Sequence, residues 1–184
     1  MTVAAFLAFG DTRPDGEKWE LLEGSLLLNA TPVKNHQMAV ANILFALRVA
    51  QRAGRLDWDA LPGIGVRLSD DSAIEPDVMI RPRDSFNGNI CDDIVVAFEV
   101  LSPSTRHLDL TWKRQNYPLL AKLSHYVAVS AEAVDVRVFA RAAQWREVRL
   151  SRLEDAVRFE TLGVALTLAD IYEDLSDLPG FALS

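Results

Sequence analysis

The chain is poor in cysteine and has no long apolar run, and these two absences exclude several classes of protein. Cys91 is the single cysteine among 184 residues, so neither an internal disulfide nor a cysteine-based zinc site can form. The longest apolar stretches fall short of the roughly 18 residues that span a bilayer. Residues 1–10 also lack the basic flank of a signal peptide. We therefore expect a cytoplasmic protein without a membrane partner.

Positive charge is also scarce, since 19 lysines and arginines stand against 26 acidic residues and give a net charge of −7. An acidic protein binds the phosphates of a nucleic acid poorly. The excess of acidic residues, however, is confined to one segment of the chain. The acidic C-terminal segment 154–184 holds seven acids and one arginine, and so carries −6 of the total. Several basic residues flank the acidic motifs described below, which is typical either of a nucleic-acid contact or of an ordinary solvated surface. They are Arg67, Arg81, Arg83, Arg106, Lys113 and Arg114.

Size and composition predict one domain over residues 1–184, because 49% hydrophobic and 24% charged residues are typical of a chain with an ordinary core. A hairpin that turns at Glu23-Gly24 and an amphipathic helix over 33–53 precede a series of short strands. This order of elements predicts an α/β fold with a central mixed β-sheet flanked by helices.

Two carboxylates occur where a purely structural pattern would not place them. Asp77 follows Pro76 within the apolar stretch 74–80, and Glu99 ends the apolar run 94–98. Runs of this kind are typical of buried strands, where an unpaired carboxylate is costly. Such a group usually has a cation as its partner. The alternative is that both acids lie at solvent-exposed ends of their strands.

A helix is predicted over 106–122, where Asp109 and Lys113 lie one turn apart and can form a salt bridge. Pro118 should kink or shorten this helix, because proline lacks the backbone N–H that a helix interior needs. The side chains expected to face inward are Trp112, Leu119, Leu120 and Leu123.

Three polar residues earlier in the chain are expected to have structural roles and not to bind a ligand. Glu20 and Glu23 are expected at the surface of the hairpin. His36 lies in the first turn of the helix over 33–53, where a capping or packing role is more common than a role as a ligand.

Several blocks of sequence together resemble a known family. They are Trp19-Glu20-Leu21-Leu22-Glu23-Gly24, His36, Glu75-Pro76-Asp77-Val78, Phe98-Glu99-Val100-Leu101-Ser102-Pro103-Ser104-Thr105, Asp109, Lys113 and Tyr117. The chain resembles the Uma-two family of restriction-endonuclease-like proteins, within the PD-(D/E)XK nuclease superfamily. The likeness runs from Trp19 to Val129. It implies a restriction-endonuclease-like fold with a nuclease core at about 19–130.

The resemblance also implies a site for Mg²⁺ or Mn²⁺. In the superfamily, the two acids that match Asp77 and Glu99 bind the metal, and the carbonyl oxygen of Val100 is a further ligand. Hard oxygen ligands suit these ions. A catalytic lysine normally stands two residues after the second acid, but this chain has Leu101 there. Lys113, on the following helix, matches the position to which the family has moved its lysine.

The resemblance therefore implies a Mg²⁺-dependent endonuclease that hydrolyses DNA, with Asp77, Glu99 and Lys113 as catalytic residues and Glu20 as an additional acid. We expect Arg81, Arg83, Arg106 and Arg114 to follow the phosphate backbone. A homodimer is left open. One alternative is a catalytically degenerate module of the same fold that binds nucleic acid or a protein. Another is a metal-dependent hydrolase of non-nucleic substrates.

Overall fold

A computed structural model describes residues 1–14, 16–175 and 177–178. The strands are, in chain order, β1 (Trp19–Leu22), β2 (Ser25–Leu28), β3 (Trp58–Leu61), β4 (Gly65–Arg67), β5 (Ala73–Ile74), β6 (Val78–Pro82), β7 (Ile90–Cys91), β8 (Val96–Leu101), β9 (His125–Ser130), β10 (Val136–Ala140), β11 (Glu147–Leu150), β12 (Ala156–Phe159) and β13 (Val164–Thr167). The α-helices are α1 (Val3–Gly10), α2 (Lys34–Gly54), α3 (Arg106–Leu108), α4 (Arg114–Asn116) and α5 (Leu168–Ile171). Short 3₁₀ turns occupy Arg141–Ala143 and Glu160–Leu162.

Six strands form the large sheet, in the order β11-β10-β9-β8-β6-β3. The sheet is mixed, because β8 and β9 run parallel while the other neighbouring pairs are antiparallel. Every residue of β8 is buried, as its nearly continuous apolar sequence requires of a strand that is covered on both faces. The predicted central mixed sheet flanked by helices is therefore confirmed.

Successive side chains of a strand point to opposite faces, so β8 contributes to two separate cores. Phe98 packs on one face with Ile43 of α2 and Phe159 of β12. Leu101 packs on the other face with Tyr117 and other buried side chains. The acidic C-terminal segment, as far as it is described, contributes its apolar side chains to the first of these cores. Residues 176 and 179–184 of that segment lie outside the described residues.

A smaller sheet, in the order β2-β1-β5-β4-β7, packs beside the large one. Its hairpin turns at Glu23 and Gly24, whose φ angles are 47° and 79°. Two consecutive positive φ angles are the geometry of the favoured two-residue hairpin turn, so the predicted hairpin is confirmed. β5 belongs to this sheet and β6 to the large one. The chain therefore crosses between the sheets at Glu75-Pro76-Asp77.

The helix over 33–53 is confirmed as α2. The helix predicted over 106–122 is shorter and irregular. α3 is followed by a π-helical turn at Asp109–Lys113, by α4, and by a 3₁₀ turn at Tyr117–Leu119 that contains Pro118. Together these turns form the helical segment 106–119. The tighter turn at Pro118 changes the direction of the side chains that follow, and the prediction that Leu119 faces inward was wrong, since it is 64% exposed.

Candidate active site

Asp77 and Glu99 lie side by side on one face of the large sheet. The antiparallel register pairs Val78 with Phe98, and its continuation brings Asp77 opposite Glu99. Opposed residues of neighbouring strands point to the same face. The Val100 backbone N–H donates a hydrogen bond of 2.8 Å to Asp77 Oδ2, which ties the carboxylate to the end of β8.

Two basic side chains contact Asp77. Lys18 Nζ donates to Asp77 Oδ1 at 3.0 Å, and His36 Nε2 lies 3.3 Å from Asp77 Oδ2. Burial by itself would raise the pKa of Asp77. The contacts from His36, Lys18 and the Val100 N–H outweigh burial, and the pKa lies well below its usual range. Asp77 is therefore held as a carboxylate.

Glu99 is 3% exposed and accepts two hydrogen bonds. Tyr117 Oη donates at 2.7 Å and Lys113 Nζ at 3.0 Å, both to Oε1. Burial raises the pKa of Glu99 to about 8, and the neighbouring carboxylates of Asp109 and Asp77 add to the shift, while Lys113 opposes it. Glu99 therefore takes up a proton more readily than an exposed glutamate does.

Lys113 lies at the centre of three carboxylates. Its Nζ is 3.0 Å from Glu20 Oε1, 3.0 Å from Glu99 Oε1 and 3.3 Å from Asp109 Oδ1. The side chain is 4% exposed. Burial by itself lowers the pKa of Lys113, but the three negative charges outweigh it and raise the pKa well above its usual value. The lysine therefore carries a full positive charge inside the protein.

Leu101, which stands where the superfamily has its lysine, points to the same face as Glu99 and is 2% exposed. It packs against apolar side chains that include Tyr117 and Leu120. The helical segment 106–119 covers this face, and Lys113 reaches Glu99 from it. The ammonium group beside Glu99 therefore comes from the helical segment 106–119 and not from β8.

Glu20 is fully buried, so the prediction of a surface position was wrong. Its Oε1 accepts from the Glu75 backbone N–H at 3.0 Å as well as from Lys113. Among the described residues, no hydrogen-bond partner is found for the buried Oε2. The backbone contact to Glu75 explains the burial, because it joins β1 to the crossing between the two sheets. Glu23 stays near the surface, where it accepts from Trp112 Nε1 at 2.8 Å.

The four arginines do not gather at the acids. The Arg81 side chain is 4% exposed and is bound by Asp84 and Asp93. Arg83 is bound by Asp59 and by the backbone oxygen of Trp58.

Arg106 opens the helical segment 106–119, and Arg114 directly follows Lys113 in it. The Arg114 guanidinium lies 4.8 Å from the centre of the Phe139 ring. Arg81 is thus buried in its ion pairs, while Arg83 is 46% exposed and already bound by Asp59 and by the Trp58 backbone oxygen. Neither guanidinium is free to bind phosphate without giving up these partners.

A pocket of about 460 Å³ opens onto the acids. Its wall includes four carboxyl groups, two ammonium groups and one imidazole, contributed by Glu75, Asp77, Glu99, Asp109, Lys18, Lys113 and His36. Ser102-Pro103-Ser104-Thr105, between β8 and the helical segment 106–119, forms another part of the wall. The pocket gives a substrate a path to both carboxylates.

The donor set of this pocket fits a hard divalent cation. Acidic groups outnumber basic ones in the wall, and two of the acids, Asp109 and Asp77, add to the burial that raises the pKa of Glu99. Glu20 is fully buried and lies behind Lys113, outside the lining of this pocket, so it is not counted in the donor set. In the part of the chain that the structure describes, no three His, Cys, Asp or Glu side chains are grouped closely enough to form a metal site by themselves. Asp77, Glu99 and the Val100 carbonyl would therefore need solvent or substrate oxygens to complete the coordination, as Mg²⁺ sites commonly do.

Sequence reasoning did not assign Lys18, His36 or Tyr117 to the site. Lys18 and Glu20 are two residues apart at the start of β1, which is the spacing of side chains on one face of a strand. That spacing was an available signal for Lys18. For His36 and Tyr117 the signal was only their presence among the blocks that carry the resemblance.

Comparisons with known proteins identify a family and a fold. Residues 3–169 match a family model, Uma2, described as "Putative restriction endonuclease". No curated protein matches the chain. Among the described residues, no helix is long and apolar enough to cross a membrane.

A solved structure with the same fold was found. It is the crystal structure of "a putative nuclease belonging to DUF820" from Anabaena variabilis ATCC 29413, which superposes with a TM-score of 0.74 at 15% sequence identity. The match covers 94% of this chain and 97% of that one. At this identity the likeness establishes the fold, and the predicted restriction-endonuclease-like fold is confirmed.

Proposed function

The chain belongs to the Uma2 family of restriction-endonuclease-like proteins, and we propose that it is a Mg²⁺- or Mn²⁺-dependent endonuclease that hydrolyses DNA phosphodiester bonds. Asp77 and Glu99 hold the metal in this proposal, together with the Val100 carbonyl. When bound, the cation lowers the pKa of a water and offsets the charge that develops on the scissile phosphate.

The observation that carries the proposal is the position of Lys113. Its ammonium is buried and hydrogen-bonded to Glu99, although it comes from the helical segment 106–119 and not from β8. An ammonium fixed beside the metal-binding carboxylate can orient the attacking water and stabilise negative charge in the transition state. Lys113 would thus supply the positive charge that the apolar side chain of Leu101 cannot.

The remaining side chains hold this arrangement in place. Tyr117 donates to Glu99 and thereby fixes the carboxylate, while Asp109 and Glu20 fix the ammonium of Lys113. His36 and the Val100 N–H hold Asp77 Oδ2. A site held by several partners needs little reorganisation during the reaction. In this proposal the scissile phosphodiester reaches the two carboxylates through the pocket, whose wall includes Thr31 and Ser104, while Arg106 and Arg114 contact the DNA backbone.

The test removes one metal-binding charge at a time. In Asp77→Asn and Glu99→Gln the size of the side chain is nearly unchanged, so we expect both variants to fold, to lose Mn²⁺ binding in calorimetry, and to cleave plasmid DNA at least about 100-fold more slowly. Asp70→Asn is the matched control, because this carboxylate is 89% exposed in a turn. It should bind and cleave like the unaltered protein.

Two results would contradict the proposal. Unaltered Mn²⁺ affinity in both Asp77→Asn and Glu99→Gln would refute the metal site. Metal binding and DNA binding without cleavage of single- or double-stranded DNA would instead favour the catalytically degenerate module.

A further inference from the structure

Lys18 and Lys113 both contact the acidic pocket, but their surroundings differ. Lys113 is 4% exposed and has three carboxylate partners. The Lys18 side chain is 31% exposed, and its one ion-pair partner among the described residues is Asp77. Lys113 is thus locked in position by three partners, whereas Lys18 is partly open to solvent and has a single ion pair to exchange.

Lys18 takes one particular oxygen of Asp77. His36 and the Val100 N–H both bind Oδ2, while Lys18 binds Oδ1. A metal ion that binds Asp77 without breaking the contacts to His36 and Val100 must therefore use Oδ1. The metal ion then competes for Oδ1 with the ammonium group of Lys18.

We propose that Lys18 is a built-in counter-ion of Asp77 that a divalent metal ion displaces, and that the released ammonium then contacts substrate phosphate in the pocket. This inference rests on the proposed function, because it assigns a role to Lys18 within the same site. The four-carbon stem of lysine is flexible, and Lys18 already forms part of the pocket wall. Its ammonium can therefore leave Asp77 and remain inside the pocket.

The exchange has a thermodynamic consequence. The apparent association constant of the metal equals the intrinsic constant multiplied by the fraction of molecules in which Lys18 leaves Oδ1 free. In a variant without this lysine, Asp77 Oδ1 can bind the metal in every molecule, and no ammonium has to be displaced. Lys18 in return stabilises the metal-free protein, because its ammonium offsets part of the negative charge in a pocket where acids outnumber bases.

The first test measures Mn²⁺ affinity by calorimetry in Lys18→Met and Lys18→Gln. We expect both variants to bind Mn²⁺ about three- to tenfold more tightly than the unaltered protein. Lys18→Arg retains the charge and should leave the affinity near its original value. Lys34→Met, at an exposed position in the first turn of α2, is the control for loss of one positive charge elsewhere. It should change the affinity by less than about twofold.

The second test follows the ammonium of Lys18 directly, by the rate of reductive methylation of each lysine measured with mass spectrometry. Saturating Mg²⁺ should increase the methylation rate of Lys18 several-fold, because the amine loses its partner. Lys34 serves as the internal reference, and its rate should not change. A lysine that only supports the structure would keep its contact with Asp77, and its rate would be the same with and without Mg²⁺.

The possible failures are distinguishable. If the unaltered protein and Lys18→Met bind Mn²⁺ equally well and the methylation rate of Lys18 ignores Mg²⁺, the role of Lys18 is refuted and the proposed function stands. If neither protein binds a divalent ion, both proposals fall. Thermal unfolding of each variant in EDTA verifies that the compared proteins are folded.

Discussion

Lys113 Nζ lies 3.0 Å from Glu99 Oε1, although the two residues belong to different layers of the protein. Glu99 is on the central strand β8, and Lys113 is in the π-helical turn that covers it. The two residues are only 14 positions apart in the sequence. The short connection through Ser102-Pro103-Ser104-Thr105 therefore turns the chain back over its own strand, which brings a helical lysine to the carboxyl group of Glu99.

Replacement of Lys113 should first of all affect stability. In Lys113→Met the carboxylates of Glu20, Glu99 and Asp109 lose their shared counter-ion, and removal of one partner from a buried ion pair costs about 3 to 5 kcal/mol. We expect urea denaturation of the metal-free protein to show a loss of this size in the free energy of unfolding. Adding Glu20→Gln should recover part of it, because one buried negative charge is then removed.

The control for this prediction is Lys122→Met. Lys122 is 61% exposed and lies 3.7 Å from Asp93, so its removal should cost less than about 1 kcal/mol. A similar small loss in Lys113→Met would mean that the three carboxylates do not depend on the lysine.

The fold and the two central acids follow from local sequence. The apolar run before Glu99 has the length and composition of a strand buried on both faces, and β8 has that burial. Pro76 marks the point where the chain leaves β5 and, after Asp77, enters β6. The spacing of Asp109 and Lys113 places them on one side of a helical segment, where they form an ion pair at 3.3 Å.

Contacts between residues far apart in sequence were not predictable in the same way. Lys18 and Asp77 are 59 positions apart and meet because β1 and β5 pair in the smaller sheet. That pairing depends on register between short strands, which no local pattern determines. Glu20 was assigned to the surface for the same reason, since the hairpin alone does not reveal what covers it.

The arginines illustrate a different limit. Arg81 lies in an apolar strand and carries the charge expected of a phosphate ligand, but Asp84 and Asp93 neutralise it within the protein. Whether a basic side chain faces solvent or an internal acid depends on the path of the loop between β6 and β8. Charge counting along the sequence cannot decide this.

Arg106 and Arg114 are the remaining candidates for contacts with DNA. If each neutralises one phosphate, Arg106→Ala and Arg114→Ala should each weaken DNA binding and lower the slope of log affinity against log salt concentration by about 1. Fluorescence anisotropy with a labelled duplex in EDTA measures both quantities without cleavage. Arg83→Ala is the matched control, because Asp59 and the Trp58 backbone oxygen already bind this guanidinium. Binding of the unaltered protein that is independent of salt would contradict a backbone contact and favour a protein partner.

The test of catalysis by Lys113 needs a variant that folds, because the single substitution destabilises the protein. The double variant Lys113→Met/Glu20→Gln removes one positive and one negative charge and leaves the net charge unchanged. Glu20→Gln alone is its control, since it retains the lysine and can still accept from the Glu75 N–H.

We expect the double variant to retain Asp77 and Glu99 and therefore to bind Mn²⁺. It should cleave DNA at least about 100-fold more slowly than Glu20→Gln, because an interaction that strengthens only in the transition state has been lost. Single-turnover cleavage rates at saturating Mn²⁺, together with calorimetry on the same preparations, separate loss of chemistry from loss of metal. Equal cleavage by the double variant and Glu20→Gln would show that the Lys113 ammonium serves only to neutralise the buried carboxylates, and the reacting phosphate would then need another cationic partner.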